Sequence, residues 1–468
     1  MNGSFWTLDR VADALAGCSD VSLPRGPLIL KGISTDTRSV QAGDVFVALK
    51  GDRFDAHAFL ADAVKSGAAA VVVERAERLG QLAVPQFIVG DTLDALGKLA
   101  NYRRRAWGGG GSGKVVIGVA GSNGKTTTKD LISAALDSTL EVHATSGNLN
   151  NLVGVPLTLL ALPDLADVAV IEMGINVPGE MVRLRATTQP NIIVMTCVSE
   201  EHLEGLGSME GVMREEALAF LGATIAITPV AQPELASAAR NAATRVVTAG
   251  LDDGEFRASR WGIEDDGLGW IEVEGVTVRP PVRGAHNLRN AMLALAVARE
   301  CGVSMDRAAQ GISGMPVPAM RVAWEDLGRV AVINDAYNAN PGSMRAAIDL
   351  LERSGAGRPR VAVLGTMREL GPHARRLHDE IARHALGSSF DIVAGIGDMA
   401  ESLKAIANGD PRVITGGDVD EVWSQLKTRL APNAVILLKA SRGVKLERMM
   451  PIISAWSNDN LEVQKGDA

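Results

Sequence analysis

Gly121, Ser122, Asn123, Gly124, Lys125, Thr126 and Thr127 join an apolar run, Val115 to Ala120, to a stretch with helical periodicity. The chemistry this spacing suits is the holding of phosphate. Glycines at 121 and 124 admit backbone angles that side chains with a Cβ avoid. Successive N–H groups can then converge on an anion at the N-terminus of the following helix. Lys125 supplies the charge that reaches outer phosphates, and the Thr126 hydroxyl a ligand for nucleotide-bound magnesium. Position 119, where the general loop pattern has its first glycine, is Val119, so only the shorter G-x-x-G-K-T core is present. The alternative is a chance strand-to-helix turn; the coincidence of strand, glycines, Lys-Thr and helix argues against it.

Further polar groups stand where apolar runs end. In DVAVIEMG, Val168 to Ile171 read as a buried strand closing at Glu172. A carboxylate at the C-terminal end of a parallel strand, in the same domain as a phosphate loop, is where a magnesium ligand is expected. The run NIIVMTCV leads into SEEHLEGLGS and puts His202 just past a strand end. Isolated loop histidines are commonly structural; one converging with Glu172 and Thr126 acts as a ligand. Asn148, Asn150 and Asn151 crowd between two glycines, as turn residues or as ligand contacts. Ser34, Asp36 and Arg38 form a dense polar set ahead of a strand, and both a solvated Asx-type turn and a binding role stay open. His286, Asn287 and Asn290 open the helix in RGAHNLRNAMLALAVARECG, where capping is the ordinary role and base recognition the alternative.

The elements that position these residues follow from periodicity. Residues 7 to 16 read as an amphipathic helix, Val45 to Leu49 as a strand, His57 to Ser66 as a helix and Ala70 to Val73 as a strand. The stretch WGGGGSG, 107 to 113, reads as a flexible joint, and MPVP, Met315 to Pro318, as a second boundary. Between them fall a strand at Thr224 to Thr228 and a hairpin in GWIEVEGVTVRP. Strands at Val330 to Ile333, Arg360 to Leu364, Ile392 to Gly395 and Ala434 to Leu438 then alternate with helices. Their loops NDAYNANPGSM, GTMRELG and KASRG stand at strand ends, where open parallel sheets bind ligands. The expected fold class is α/β in three domains: a small α/β N-terminal domain (1–107), a central P-loop parallel-sheet ATPase-like domain (108–317) and a C-terminal Rossmann-like domain (318–468).

Bulk properties agree with that partition. A chain of 468 residues exceeds one ordinary core. Lys and Arg number 47 against 55 Asp and Glu, a net charge of -8 that gives no support for a nucleic-acid partner. Three cysteines without metal spacing suit a reducing compartment. The N-terminus lacks a basic region leading into an apolar stretch, and no run approaches ~18 uninterrupted apolar residues. The expectation is a cytoplasmic protein with no transmembrane segment.

Taken in order, G-S-N-G-K-T-T, N-L-N-N-x-x-G-V-P, the Glu172 strand, H-L-E-G-x-G-S, H-N-L-R-N-A and D-A-Y-N-A-N-P-G-S-M resemble the Mur ligases. S-T-D-T-R, F-V-A-L-K-G-x-R-F-D-A-H and D-A-Y-N-A-N-P are most similar to members that add D-alanyl-D-alanine. The resemblance implies ATP and Mg2+ as cofactors, and UDP-N-acetylmuramoyl-tripeptide and D-alanyl-D-alanine as small-molecule substrates of a monomer. It assigns the UDP end to Ser34, Asp36, Arg38 and the loop Gly51 to Phe54. The nucleotide falls to the phosphate loop with Asn287, Asn290, Arg321 and Asp335. The tripeptide and incoming dipeptide fall to Asn150, Asn338, Asn340, Lys439 and Arg442. Lys125, His202 and Arg321 become the catalytic set, and Thr126, Glu172, His202 and Glu216 the metal set.

At Glu216 the chain departs from its relatives, which carry a carbamylated lysine there that binds a second magnesium. A glutamate offers an anion without carbon dioxide, but with a reach roughly several ångströms shorter. The alternative is a solvated helix residue beside Arg214 and Glu215. Two other functions compete: a P-loop ATPase or switch with partner-binding outer domains, and a related ligase adding a different amino acid. No D-N-P-R motif of the diaminopimelate-adding members is present.

Overall fold

The computed structural model describes residues 5–18, 23–51, 54–75, 83–109, 113–355 and 357–466. Residues 52 and 53 of the loop expected at the UDP end, and 110 to 112 of the glycine stretch, lie outside that set. Contacts divide the chain into two compact units. The first comprises Met1–Gly118, Glu141–Gly174 and Gly179–Asn191; the second comprises Val119–Leu140, Ile175–Pro178 and Ile192–Ala468.

In the first unit, Ile33–Ser34, Val45–Val47, Ala70–Val73 and Gln86–Ile88 form a parallel sheet in that order. Alternation puts its two faces in different cores. Val45, Val47, Ala70 and Val72 meet Trp6, Leu8, Leu15, Leu96 and Leu99, whereas Phe46, Val71 and Val73 meet Leu60 and Ala63. The helix Thr92–Gly108 starts where Asp91 accepts from the Asp94 amide. Its far end is tied to helices Gly154–Leu160 and Glu180–Thr188. Asn101 Nδ2 donates to the Ala186 carbonyl at 2.9 Å, Arg103 to the Leu162 carbonyl at 2.6 Å and Arg104 Nε to the Thr188 carbonyl at 3.0 Å. The unit also holds strands Val142–Ala144 and Val168–Glu172, paired in parallel, and the first residues of Val115–Ala120, which follows them in the sheet order.

In the second unit the last residues of Val115–Ala120 are followed in sheet order by Ile192–Met195, Ile225–Pro229, Arg245–Gly250 and Phe256–Arg257; the last four run parallel. Helix Ala285–Glu300 is buried along most of its length because its inner face is alanine, leucine and methionine. Helices Lys125–Asp137 and Met305–Ser313 approach so closely that a Cβ on Gly311 would lie 1.9 Å from the Ala134 carbonyl. An antiparallel sheet of Arg260–Ile263, Gly269–Val273 and Val276–Val278 contains the expected hairpin plus one more strand.

The C-terminal sheet of the second unit has the order Ala323–Leu327, Val330–Asp335, Val435–Lys439, Arg360–Leu364, Ile392–Ile396, Val413–Gly416, parallel except for its first strand. Register sets Asp335 and Leu364 on either side of Lys439, so the three central strands end level. Among the described residues no helix is long and apolar enough to cross a membrane.

Candidate active site

The turn after Val115–Ala120 has Gly121 at φ +118° and Gly124 at φ +80°. Side chains are excluded at both points. A Cβ on Gly121 would lie 2.4 Å from Thr196 Oγ1 and 2.7 Å from the Cys197 carbonyl, and one on Gly124 2.7 Å from Asn290 Nδ2. Gly124 opens helix Lys125–Asp137 without a capping side chain of its own. Helix N–H groups at such an end are suited to an anion. The Lys125 ammonium bonds the Gly121 carbonyl, lies 3.0 Å from the Ser122 carbonyl and stands 3.7 Å from Glu201 Oε2. Thr126 lies in the first helical turn.

Polar side chains brace the loop from several directions. Ser122 Oγ accepts from the Ser199 amide at 2.9 Å, and Asn123 Nδ2 donates to Ser199 Oγ at 2.7 Å. Asn340 Nδ2 donates to Asn123 Oδ1 at 2.7 Å, while Asn340 Oδ1 accepts from the Ser343 amide and caps helix Pro341–Arg353. Asn290 lies against Gly124 and donates to Asn287 Oδ1 at 3.1 Å; Asn287 in turn donates to the Arg283 carbonyl. Asn287 thus bonds at the helix start, and Asn290, held by it, borders the phosphate loop.

His202 adopts φ +53°, with Nδ1 2.5 Å from Glu369 Oε2 and Nε2 3.8 Å from Glu201 Oε1. Burial works against its charged form, but Glu369 and Glu201 outweigh burial and raise its pKa. Glu201 is 7% exposed, and its Oε2, near the Lys125 ammonium, is buried without a hydrogen-bond partner among the described residues. Neither Glu201 nor Glu369 stands out in the sequence, although each sits in a strand-end loop, SEEHLEG and GTMRELG.

Glu216 is not a solvated residue. It is 2% exposed on the inner face of helix Met209–Ala217, beside buried Glu215 and Val212. Its Oε2 accepts from the Gly121 amide at 2.9 Å. Burial pushes its carboxyl up to about 7, with Lys125 pulling the other way.

In the first unit, Asn150 Nδ2 donates to Glu172 Oε1 at 2.8 Å, which joins two of the expected site residues at the end of strand Val168–Glu172. Asn151 instead caps the next helix by accepting from the Gly154 amide. Around Ser34 the polar set forms an Asx-type turn. The Arg38 side chain and amide both donate to Asp36, whose carboxyl they hold down to about 2, and Ser34 Oγ donates to the Asp36 carbonyl. Phe54 is 57% exposed and stacks on Phe59 with centroids 5.6 Å apart; Gly51 pairs with it in a short hairpin.

At the C-terminal strand ends, Lys439 is 1% exposed, with Nζ 2.6 Å from Asp335 Oδ2 and 3.0 Å from the Asn338 carbonyl. Asn338 itself is exposed. Arg321 lies over the Tyr337 ring at 4.2 Å, and Arg442 bonds Glu447 at 3.0 Å.

A phosphate loop at the end of a parallel strand, flanked by asparagines and strand-end acids, defines a nucleotide-using α/β enzyme. Residues 29–104 match the Mur ligase family catalytic domain, 119–298 the Mur ligase middle domain and 320–442 the Mur ligase glutamate ligase domain, and the chain belongs to the Mur ligase family. It is 35% identical over 432 residues to the UDP-N-acetylmuramoyl-tripeptide–D-alanyl-D-alanine ligase of Bacillus subtilis, covering 90% of this chain and 93% of that one. MurF from Acinetobacter baumannii superposes with TM-score 0.86 at 28% identity, over 97% of this chain and 100% of that one. MurF ligase from Thermotoga maritima in complex with ADP gives 0.82 at 27%, over 93% and 100%.

Proposed function

We propose that this chain is an ATP-dependent, ADP-forming amide ligase that joins D-alanyl-D-alanine to the terminal carboxylate of UDP-N-acetylmuramoyl-tripeptide in peptidoglycan precursor synthesis. The observation that carries this reading is the extent of the similarity, 35% identity over 90% of this chain and 93% of its relative. A phosphate loop alone would equally suit an ATPase switch. Likeness that continues through the loops on both sides of it does not.

The chemistry sets the tripeptide carboxylate against the γ-phosphate of ATP, and these anions repel until positive charge lies between them. Lys125 supplies that charge once it exchanges the Gly121 and Ser122 carbonyls for phosphate oxygens, and Arg321 is assigned beside it. The carboxylate oxygen attacks phosphorus, the bond to ADP breaks, and an acyl phosphate results. The dipeptide amine then attacks the acyl carbon and loses a proton, and inorganic phosphate departs from the tetrahedral intermediate. Because acyl phosphates hydrolyse, closure over the site keeps water out.

We assign the UDP end to the 1–107 domain through Ser34, Asp36, Arg38, Gly51 and Phe54, ATP to 108–317, and the dipeptide to 318–468 through Asn338, Asn340 and Arg442. Lys439 and Asp335, each occupied by the other, enter as the pair that fixes the loop carrying Asn338. Magnesium, when bound, neutralises phosphate charge. Thr126 and Glu172 have the hard oxygen donors that it takes, and Glu201 Oε2, buried near Lys125, is another. His202 has its Nδ1 engaged by Glu369 Oε2 at 2.5 Å rather than open to a cation. ATP and a UDP-linked precursor put the reaction in the cytoplasm, and a monomer supplies every assigned residue.

Phosphate release, measured against a panel of UDP-muramoyl peptides and dipeptides, tests the reading. Release that requires both a UDP-muramoyl-tripeptide and D-alanyl-D-alanine is expected. Hydrolysis indifferent to either would overturn it.

A further inference from the structure

Gly121 is held in an unusual way. Its neighbours are fixed by the backbone: the Thr196 amide donates to the Ala120 carbonyl at 3.0 Å, and the Ser122 amide donates to the Cys197 carbonyl at 2.7 Å. The Gly121 amide, between them, points instead at a side chain from a distant helix, Glu216 Oε2, at 2.9 Å. On its other side the Gly121 carbonyl accepts from the Lys125 ammonium. A residue that admits no Cβ, at φ +118°, is therefore gripped through both of its peptide groups, one by a buried acid and the other by the lysine of the phosphate loop.

We propose that Glu216 is a positioning residue of the phosphate loop, whose carboxylate fixes the Gly121 amide and with it the loop that receives the nucleotide. The proposal rests on the ATP reading above. It is a different role from the metal-binding one that the family resemblance implies for this position, and it uses Oε2, the oxygen engaged by the Gly121 amide. What the site requires is a hydrogen-bond acceptor of glutamate length in a place closed to water. An orphaned buried N–H is costly, and the loop would turn to find another partner. A negative charge is not required for that task. A metal ligand, in contrast, would need it and would act only when magnesium is present.

Three full-length variants separate these roles. Glu216→Gln keeps the acceptor and removes the charge; Glu216→Leu removes both at similar size; Glu216→Thr is polar but too short to reach. ADP affinity is measured by calorimetry in EDTA and again in excess magnesium, and hydrogen exchange of the peptide containing Gly121 is followed with no nucleotide present. The clamp predicts that Glu216→Gln stays within about twofold of the parent in both buffers, and that Glu216→Leu weakens ADP about tenfold in both, EDTA included. It also predicts that the Gly121 amide stays protected in Glu216→Gln and exchanges faster in Glu216→Leu. If Glu216→Leu does not fold, Glu216→Thr takes its place with the same expectations. Parent-like affinity in EDTA for the Leu or Thr variant, or a Glu216→Gln variant that loses only its magnesium-dependent gain, would overturn the clamp. The parent isotherm by itself tests the ATP reading, and exchange at Gly121 reads the clamp without nucleotide, so the two ideas fail separately.

Discussion

Lys439→Met is the sharpest test of how the C-terminal strand ends are built. Methionine keeps the length of the lysine stem and removes its ammonium, leaving the Asp335 carboxylate buried without its partner at 2.6 Å. At that distance and an effective dielectric of ~20 the attraction is about 6 kcal/mol. Desolvation of both ions offsets much of it, and breaking one member of such a pair costs about 3–5 kcal/mol. Scanning calorimetry should show the transition containing the C-terminal sheet lowered by about 10 °C. Adding Asp335→Asn removes the stranded charge, so the double variant should recover a large part of the loss. The competing account makes Lys439 a dipeptide contact. It predicts an unchanged melting profile with weakened dipeptide binding, and that result would refute the structural role.

Lys125→Ala should reduce ligation below detection while the protein keeps its circular dichroism, since the ammonium serves charge rather than packing; near-normal turnover would sink the phosphate-loop assignment. Gly124→Ala brings a Cβ to 2.7 Å from Asn290 Nδ2 at φ +80°, and should weaken ADP at least about tenfold in calorimetry. Glu216 makes stability depend on pH. Its folded pKa, about 7, lies above the ordinary glutamate value of 4.5, so the native state binds the extra proton; stability is greatest below the lower value and falls as pH rises through that window, by about 3 kcal/mol in all. Melting curves from pH 4 to 8 should show that decline in the parent relative to Glu216→Gln, and parallel curves would contradict it.

Much of the fold was legible because its central strands are continuous apolar runs. Val168–Glu172 and Arg360–Leu364 are buried on both faces and look so in sequence. Ala323–Leu327 was not legible. It is an edge strand, antiparallel and half-exposed, and its A-W-E-D-L composition alternates with charge. Strand Val330–Asp335 also runs past Ile333, where the apolar signal stops, because Asn334 finds Glu325 and Asp335 finds Lys439. In the site, the glycines and Lys125 announce themselves by spacing. Partnerships across the chain do not: Asn123 and Asn340 are 217 positions apart, and nothing local ties them together. For Glu216 the sequence leaves a buried anion and a solvated charge both open because Arg214 and Glu215 adjoin it, and only its helix face, shared with Val212, turns it inward.

The Asn340 side chain answers to two masters, and this has a consequence for how position 340 tolerates change. Its Oδ1 accepts from the Ser343 amide and its Nδ2 donates to Asn123. Aspartate or serine can do the first task, but neither has the amide donor for the second. A library selected for heat resistance alone should therefore accept Asn340→Asp and Asn340→Ser. The same library selected for ligation should reject both. Sequencing the two survivor pools would separate, at a single codon, what the helix demands from what the phosphate loop demands.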